Sequence, residues 1–374
     1  MAAKITLPGR TRPLTVPDPG WEPSYLPPLQ RSVYAAAHVA AFPDGSIDWD
    51  STMRFREHLW AHGFGVAEAM DTAQRGMGLS FGQASDLILR SASRAAELGA
   101  VIASGAGTDQ LPASRYRLAT IVRAYADQID MVESSGSQVI LMASRALAAS
   151  ARSAEDYLLV YGQLLKLADQ PVLLHWLGDA FDPALKGYWG NEDFEAAADT
   201  VIELIERAGD QVRGIKISLL DAGHERALRR RLPPGVRLYT GDDFNYAELI
   251  KGDADGHSDA LLGAFAAVTA PAAAALHALD AGDIAGFDAA MNPTVALSRV
   301  IFSEPTYDYK VGIAFLAWLN GLQPNFAMLA GLQARRPAAH LIRVFELAAE
   351  CRALLDPELA VRRMSAYLTG AVTP

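Results

Sequence analysis

The chain has 374 residues, about half of them apolar, and a formal charge of −10. That length suits one large α/β barrel with additions or two ordinary domains, and the acidic balance argues against a nucleic-acid partner and against an anionic membrane surface. Cys351 is the single cysteine, which excludes an internal disulfide and a zinc-type cysteine cluster.

The opening "MAAKITLPGRTRPLTV" has no continuous apolar run of the kind a signal peptide carries. The most apolar segment, Leu261 to Leu279, is alanine-rich and broken by Pro271, too weak for a membrane span. A cytoplasmic protein is expected. Residues 1–30 are rich in proline ("LPGRTRPLTVPDPGWEPSYLPPLQ") and predict an irregular arm over the core.

From Arg31 onward, short apolar runs alternate with longer amphipathic segments. The predicted strands are Val33–Ala41, Gly65–Ala69, Val101–Gly105, Gln138–Ala143, Pro171–Trp176, Val212–Ser218, Val236–Thr240 and Gly256–Leu262. Helical patterns fall between them at Asp50–Ala61, Gly82–Leu98, Ser114–Ser134, Ala154–Ala168, Asn191–Ala208 and Asn245–Lys251. Carboxylates at Asp48 and Asp50, and at Glu192 and Asp193, stand where helix N-termini favour them. Eight alternating units imply parallel pairing and right-handed crossovers, hence an α/β fold of the (β/α)8 TIM-barrel type over residues 31–264. Residues 265–374 are mostly helical in pattern and predict a C-terminal helical region packed on the barrel. Sites on such a fold sit at the C-terminal ends of the strands.

At the second strand's end stand Glu68 and Asp71, with Arg75 in the following loop. Carboxylates accept hydrogen bonds from sugar hydroxyls and a guanidinium grips an acid, although a solvated ion pair in a loop would also account for Arg75. His175 ends the fifth strand behind Leu173 and Leu174. A histidine there can move protons near neutrality, or can be a core group bonded to a carbonyl. The long loop "LGDAFDPALKGYWGNEDF" carries Asp179, Asp182, Lys186, Tyr188 and Trp189 and predicts a lid.

The sixth strand, "VRGIKIS", sets Lys216 inside an apolar run. Lysine occurs at only six positions, 4, 166, 186, 216, 251 and 310, and arginine supplies most of the positive charge. Burial should lower the amine's pKa and free it to attack a ketone or aldehyde. The alternative is an amine satisfied by a neighbouring carboxylate inside the barrel. After the seventh strand come Gly241, which permits close backbone approach, and Asp242 and Asp243; His257, Ser258 and Asp259 fall on the eighth. "FSEPTYDYKVGIAF" brings Tyr307, Tyr309 and Lys310 together, a pattern that fits a packed turn between helices.

These motifs resemble the dihydrodipicolinate synthase / N-acetylneuraminate lyase superfamily of class I aldolases. "RGIKIS" matches the superfamily's Schiff-base lysine segment on the sixth strand. "AAHVAAFPDGSIDWDSTMRFREHLWAHGFG" resembles its first unit, and "QPVLLHW" its fifth strand. "YTGDD" and "DGHSDALLGAFAAVTAP" resemble the seventh and eighth strands. The resemblance spans roughly residues 33–330. It implies that Lys216 forms the Schiff base and that His175 stands where the superfamily has its catalytic tyrosine. The Gly-Thr-Thr carboxylate-binding signature is absent, and "AEAMDTAQRGMGLS" stands in its place with Glu68, Asp71, Thr72, Gln74 and Arg75. The neighbouring subunit's tyrosine also lacks a counterpart, since "LMASRALAAS" occupies that strand end.

The resulting expectation is a class I lyase or aldolase acting on a ketone-bearing, sugar-derived small molecule. Lys216 and His175 would be catalytic, and Glu68, Asp71, Thr72, Gln74, Arg75, Asp242, Asp243, His257 and Asp259 would contact substrate. No cofactor is needed beyond the covalent lysine adduct. By analogy with the superfamily, a homodimer or homotetramer is expected. Two alternatives stay open: a divalent-metal sugar isomerase, epimerase or lyase with ligands drawn from Glu68, His175, Asp242 and His257, and a non-catalytic ligand-binding barrel.

Overall fold

The computed structural model describes residues 3–21, 26–70 and 74–370. Eight strands close into a barrel in chain order: Val33–Ala35, Gly65–Glu68, Ile102–Ala106, Gln138–Leu141, Val172–Leu177, Val212–Ser218, Arg237–Thr240 and Asp259–Leu262. Every barrel strand pair with a described register is parallel, as the alternation with helices requires. The fifth strand is buried along its whole length because both of its faces are covered. The fold is the (β/α)8 barrel expected from the sequence.

The first strand is shorter than its apolar run. Residues 37–40 remain buried but lie outside the ladder, and side chains satisfy several of the backbone groups there. Val39 N donates to Gln74 Oε1 at 2.8 Å, Ala40 N to Thr52 Oγ1 at 3.0 Å, and Arg56 Nη1 to the His38 carbonyl at 2.6 Å. A buried backbone group needs such a partner wherever the sheet stops supplying one.

The helices start where their caps place them. Asp48 accepts from Ser51 N at the head of Trp49–Trp60, Ser80 and Gln83 form a capping box on Phe81–Leu98, and Asp193 accepts from Ala196 N on Phe194–Ala208. Two helices lack a counterpart among the predicted segments, Arg145–Ser150 and Ala222–Arg231. After the eighth strand come Thr269–Asp280, Ile284–Ile301, Lys310–Leu319, Ala338–Glu350 and Pro357–Leu368. Among the described residues no helix is long and apolar enough to cross a membrane.

The proline-rich arm is more ordered than expected. Ala3–Ile5 and Leu14–Val16 pair as an antiparallel ribbon. Its apolar side chains, Ile5 and Val16 with Leu7, are buried, and Arg10 pairs with Glu346 at 2.8 Å. Strands of three residues are too short to display an alternating pattern.

The chain divides into two compact units. One comprises Met1–Val66, Thr72–Gly78 and Leu262–Pro374; the other comprises Ala67–Asp71 and Leu79–Leu261.

Candidate active site around Lys216

In the second unit, register ties four residues into one row: His175 pairs with Lys216, Lys216 with Tyr239, and Tyr239 with Asp259. Side chains paired in register share a face, and their strand neighbours take the other. Trp176 stacks on Phe194 of the covering helix with ring centroids 5.6 Å apart, and the Thr240 hydroxyl donates to Glu225 of helix Ala222–Arg231 at 2.9 Å. Trp176, Ile217 and Thr240 therefore form the outer face. His175, Lys216 and Tyr239 face the barrel interior.

Lys216 is only 8% exposed. Its flexible chain runs against Gly241. A Cβ at that position would come within 2.6 Å of Lys216 Cε and 2.1 Å of Ser218 Oγ, so any side chain there would displace both groups. The glycine expected to permit close approach does so, toward the lysine itself. Gly241 N also donates to the Ile217 carbonyl at 2.8 Å, holding the two strand ends together. Gly214, two residues before the lysine, likewise makes room for Tyr239, whose Cε2 would lie 2.9 Å from a Cβ there. His175, 2% exposed, places Nε2 3.3 Å from Ser218 Oγ. His175, Lys216 and Ser218 thus come together around the end of the sixth strand.

The expected substrate carboxylates are placed differently. Glu68 is fully buried and turned to the helix layer: Ser91 Oγ donates to Oε2 at 2.6 Å and Ala69 N to Oε1 at 2.9 Å. Its face of the strand is the one helix Phe81–Leu98 covers. Asp242 is spent on its own loop, accepting from Phe244 N at 2.9 Å, Asn245 N at 3.0 Å and Asn245 Nδ2 at 2.8 Å. Asp259, the register partner of Tyr239, opens its strand, and its carboxylate pairs with Arg237 at 2.8 Å. His257 precedes the eighth strand and is exposed. Of the carboxylates expected to contact substrate, Glu68, Asp242 and Asp259 thus have partners within the protein. Asp243 is buried directly after the seventh strand.

Asp71 and Thr72 lie outside the described residues. Gln74 and Arg75 belong to the first unit and are buried. Gln74 adopts a left-handed φ of 71°, and its Oε1 accepts from Val39 N. Among the described residues no group of three or more His, Cys, Asp or Glu side chains is arranged to hold a metal ion. The alternative ligands Glu68, Asp242 and His257 are set apart by the placements just given.

The loop after the fifth strand, expected as a lid, is rooted in the core by two of its aromatic residues. Trp189 is fully buried beside Tyr161, and the Tyr188 hydroxyl accepts from Ser144 N at 2.9 Å and meets the Tyr161 hydroxyl at 2.9 Å. Burial pushes both of these phenols well above the usual tyrosine range. Asp182 pairs with Arg145, and the exposed Lys186 with Glu192 at 3.0 Å. This loop borders a cavity of about 330 Å³ with Trp176, Phe194 and His224 among its lining residues.

In the first unit, Lys310 is 2% exposed, within the packed turn expected there. Its Nζ donates to the Ala36 carbonyl at 2.5 Å and lies 4.7 Å from the Tyr309 ring centroid. Two inward residues beside Lys216, Ser218 and Tyr239, were not singled out from sequence. Period-two spacing marks Ser218, since positions 216 and 218 of one strand share a face. Tyr239 is recognisable only once the register is known.

An eight-stranded parallel barrel with a buried lysine on the inner face of its sixth strand is the class these observations define. Within it, the chain belongs to the family described as "Protein of unknown function (DUF993)", which matches residues 9–371. No curated protein matches the chain in sequence. Among solved structures, the chain is similar to dihydrodipicolinate synthase from Aquifex aeolicus at 13% identity and a TM-score of 0.68, covering 87% of this chain and 99% of that one. It is similar to the chloride-inhibited enzyme from Acinetobacter baumannii complexed with pyruvate at 17% identity and 0.64, covering 86% and 99%. A monomeric dihydrodipicolinate synthase variant is similar at 14% identity and 0.67, covering 86% and 96%. The chain thus shares the fold of the dihydrodipicolinate synthases.

Proposed function

We propose that the protein is a class I lyase or aldolase in which Lys216 forms a Schiff base with a ketone-bearing small molecule. The observation that carries the reading is the placement of Lys216: buried, inward, at the end of the sixth strand, with a glycine opposite and a histidine beside it. A desolvated amine on a rigid strand is the kind of nucleophile that carbonyl chemistry needs. Attack on the carbonyl carbon gives a carbinolamine, and loss of water gives an iminium. The iminium then accepts the electron pair of an adjacent C–C or C–H bond as that bond breaks. His175 supplies the proton transfers in this reading. The likeness to the pyruvate-complexed barrel makes a 2-oxo acid the first substrate to try.

The carboxylates expected to bind hydroxyl groups are largely engaged within the protein, so the reading extends to a ketone and stops short of a sugar. Its test is borohydride reduction in the presence of pyruvate and, separately, dihydroxyacetone, followed by peptide mass analysis. A reduced adduct on the Lys216 peptide is expected with one of them. No adduct across a panel of keto acids and keto sugars, with turnover of any of them abolished by a chelator, would overturn it in favour of the metal-dependent alternative. Assembly into a homo-oligomer is part of the same proposal, and sedimentation measures it directly.

A further inference from the structure

We infer that Ser218 is the relay through which His175 exchanges protons with the Lys216 nitrogen; this rests on the Schiff-base reading and adds to it a residue that the sequence motifs do not assign. Ser218 Oγ lies 3.3 Å from His175 Nε2. The same oxygen and Lys216 Cε both crowd one point beside Gly241, at 2.1 and 2.6 Å, and so lie no more than about 5 Å apart. The hydroxyl, 1% exposed, therefore lies beside the imidazole and within about 5 Å of the lysine's Cε. A serine hydroxyl donates one proton while accepting another, as a relay requires.

The proton balance closes with one proton drawn from solvent. When the neutral amine attacks the ketone, the nitrogen's surplus proton passes to Ser218 Oγ as the serine's own proton passes to His175 Nε2, and the same path in reverse delivers it to the alkoxide, giving the carbinolamine. A second proton, taken up from solvent by His175, then passes along that path to the carbinolamine hydroxyl, which leaves as water as the nitrogen lone pair forms the C=N bond. Histidine and serine both end in their starting states, and amine, ketone and one proton give the iminium and one water. A hydroxyl two residues from the lysine on the same face suits this path, because the strand fixes its distance from the nitrogen while Gly241 leaves the space clear.

The experiment measures the rate of borohydride-trappable adduct formation with pyruvate, or with whichever ketone labels the wild-type protein, from pH 5 to 9. Wild type is compared with Ser218→Ala, His175→Asn and the double variant, each checked for an unchanged thermal transition. Wild type should show a limb from histidine titration. Ser218→Ala should slow adduct formation by about 10²-fold and lose that limb, while the final adduct still maps to Lys216. The double variant should be no slower than His175→Asn alone, because the two residues act as one path. Ser218→Cys, which keeps a transferable proton, should recover part of the rate. A Ser218→Ala rate within twofold of wild type, a retained limb, or additive losses would overturn the relay while leaving the Schiff base intact. Absence of any adduct on wild-type Lys216 would remove both.

Discussion

The protein buries two of its six lysines, one in each compact unit, and treats them in opposite ways. Lys310 donates to the carbonyl of Ala36 and lies over the Tyr309 ring, two partners that favour an ammonium. Lys216 extends past a glycine, beside a hydroxyl and an imidazole that can take or return a proton. Burial alone does not make a lysine reactive. On the Schiff-base reading proposed above, the contrast lies in whether a proton-exchanging pair, His175 and Ser218, stands close to the amine.

The sharpest way to break the contrast is to remove each amine. Lys216→Met should reduce adduct formation and turnover by at least about 10³-fold with an intact thermal transition. A variant that still forms an adduct on another lysine would end the assignment. Gly241→Ala comes next: the added methyl must push aside Ser218 and Lys216, so trapping should fall by about 10²-fold and stability by about 1–3 kcal/mol. Lys310→Met keeps the stem but removes the ammonium, and should cost about 1.5–3 kcal/mol in denaturant titration. Its trapping rate should stay within about twofold of wild type. Loss of trapping in a folded Lys310→Met would erase the distinction between the two lysines.

Glu225 offers a milder probe on the outer face of the Lys216 barrel wall. Burial pushes its carboxyl up to about 8, although the Ser258 and Thr240 hydroxyls bonded to it pull the other way. The folded protein thus holds the Glu225 proton more tightly than the unfolded chain. Its contribution to stability is present in full below the ordinary glutamate range and fades as pH rises toward 8. Glu225→Gln should flatten that decline in a pH series of unfolding curves without changing which lysine is trapped. The smallest effect is expected from Asp193→Ala, which removes a helix cap far along the sequence from either lysine. It should cost about 1 kcal/mol and leave trapping unaltered.

The barrel was legible because each strand is a short apolar run followed by a capped amphipathic helix, and Lys216 was legible because a charge interrupts one of those runs. Facing was much harder to infer. Glu68 ends a strand as a site residue would, yet it turns outward to Ser91, and one residue of register separates those outcomes. Asp242 follows the seventh strand and satisfies its own turn, which residue type alone does not distinguish from ligand binding. Asp259 opens its strand, and its carboxylate is taken by Arg237, a pairing that residue type does not announce. Tyr188 and Trp189 misled for a similar reason: aromatic residues in a long loop have the same composition whether they cap a mouth or root the segment in the core.

That rooting bears on how freely the segment can move. Swinging the segment around Trp189 open would pull a fully buried indole from its aromatic nest, a penalty of about 3–5 kcal/mol by the measure of large core truncations. An opening that costly would be populated less than about 1% of the time. The segment around Trp189 is therefore expected to keep its place during any turnover that the proposed lysine chemistry supports.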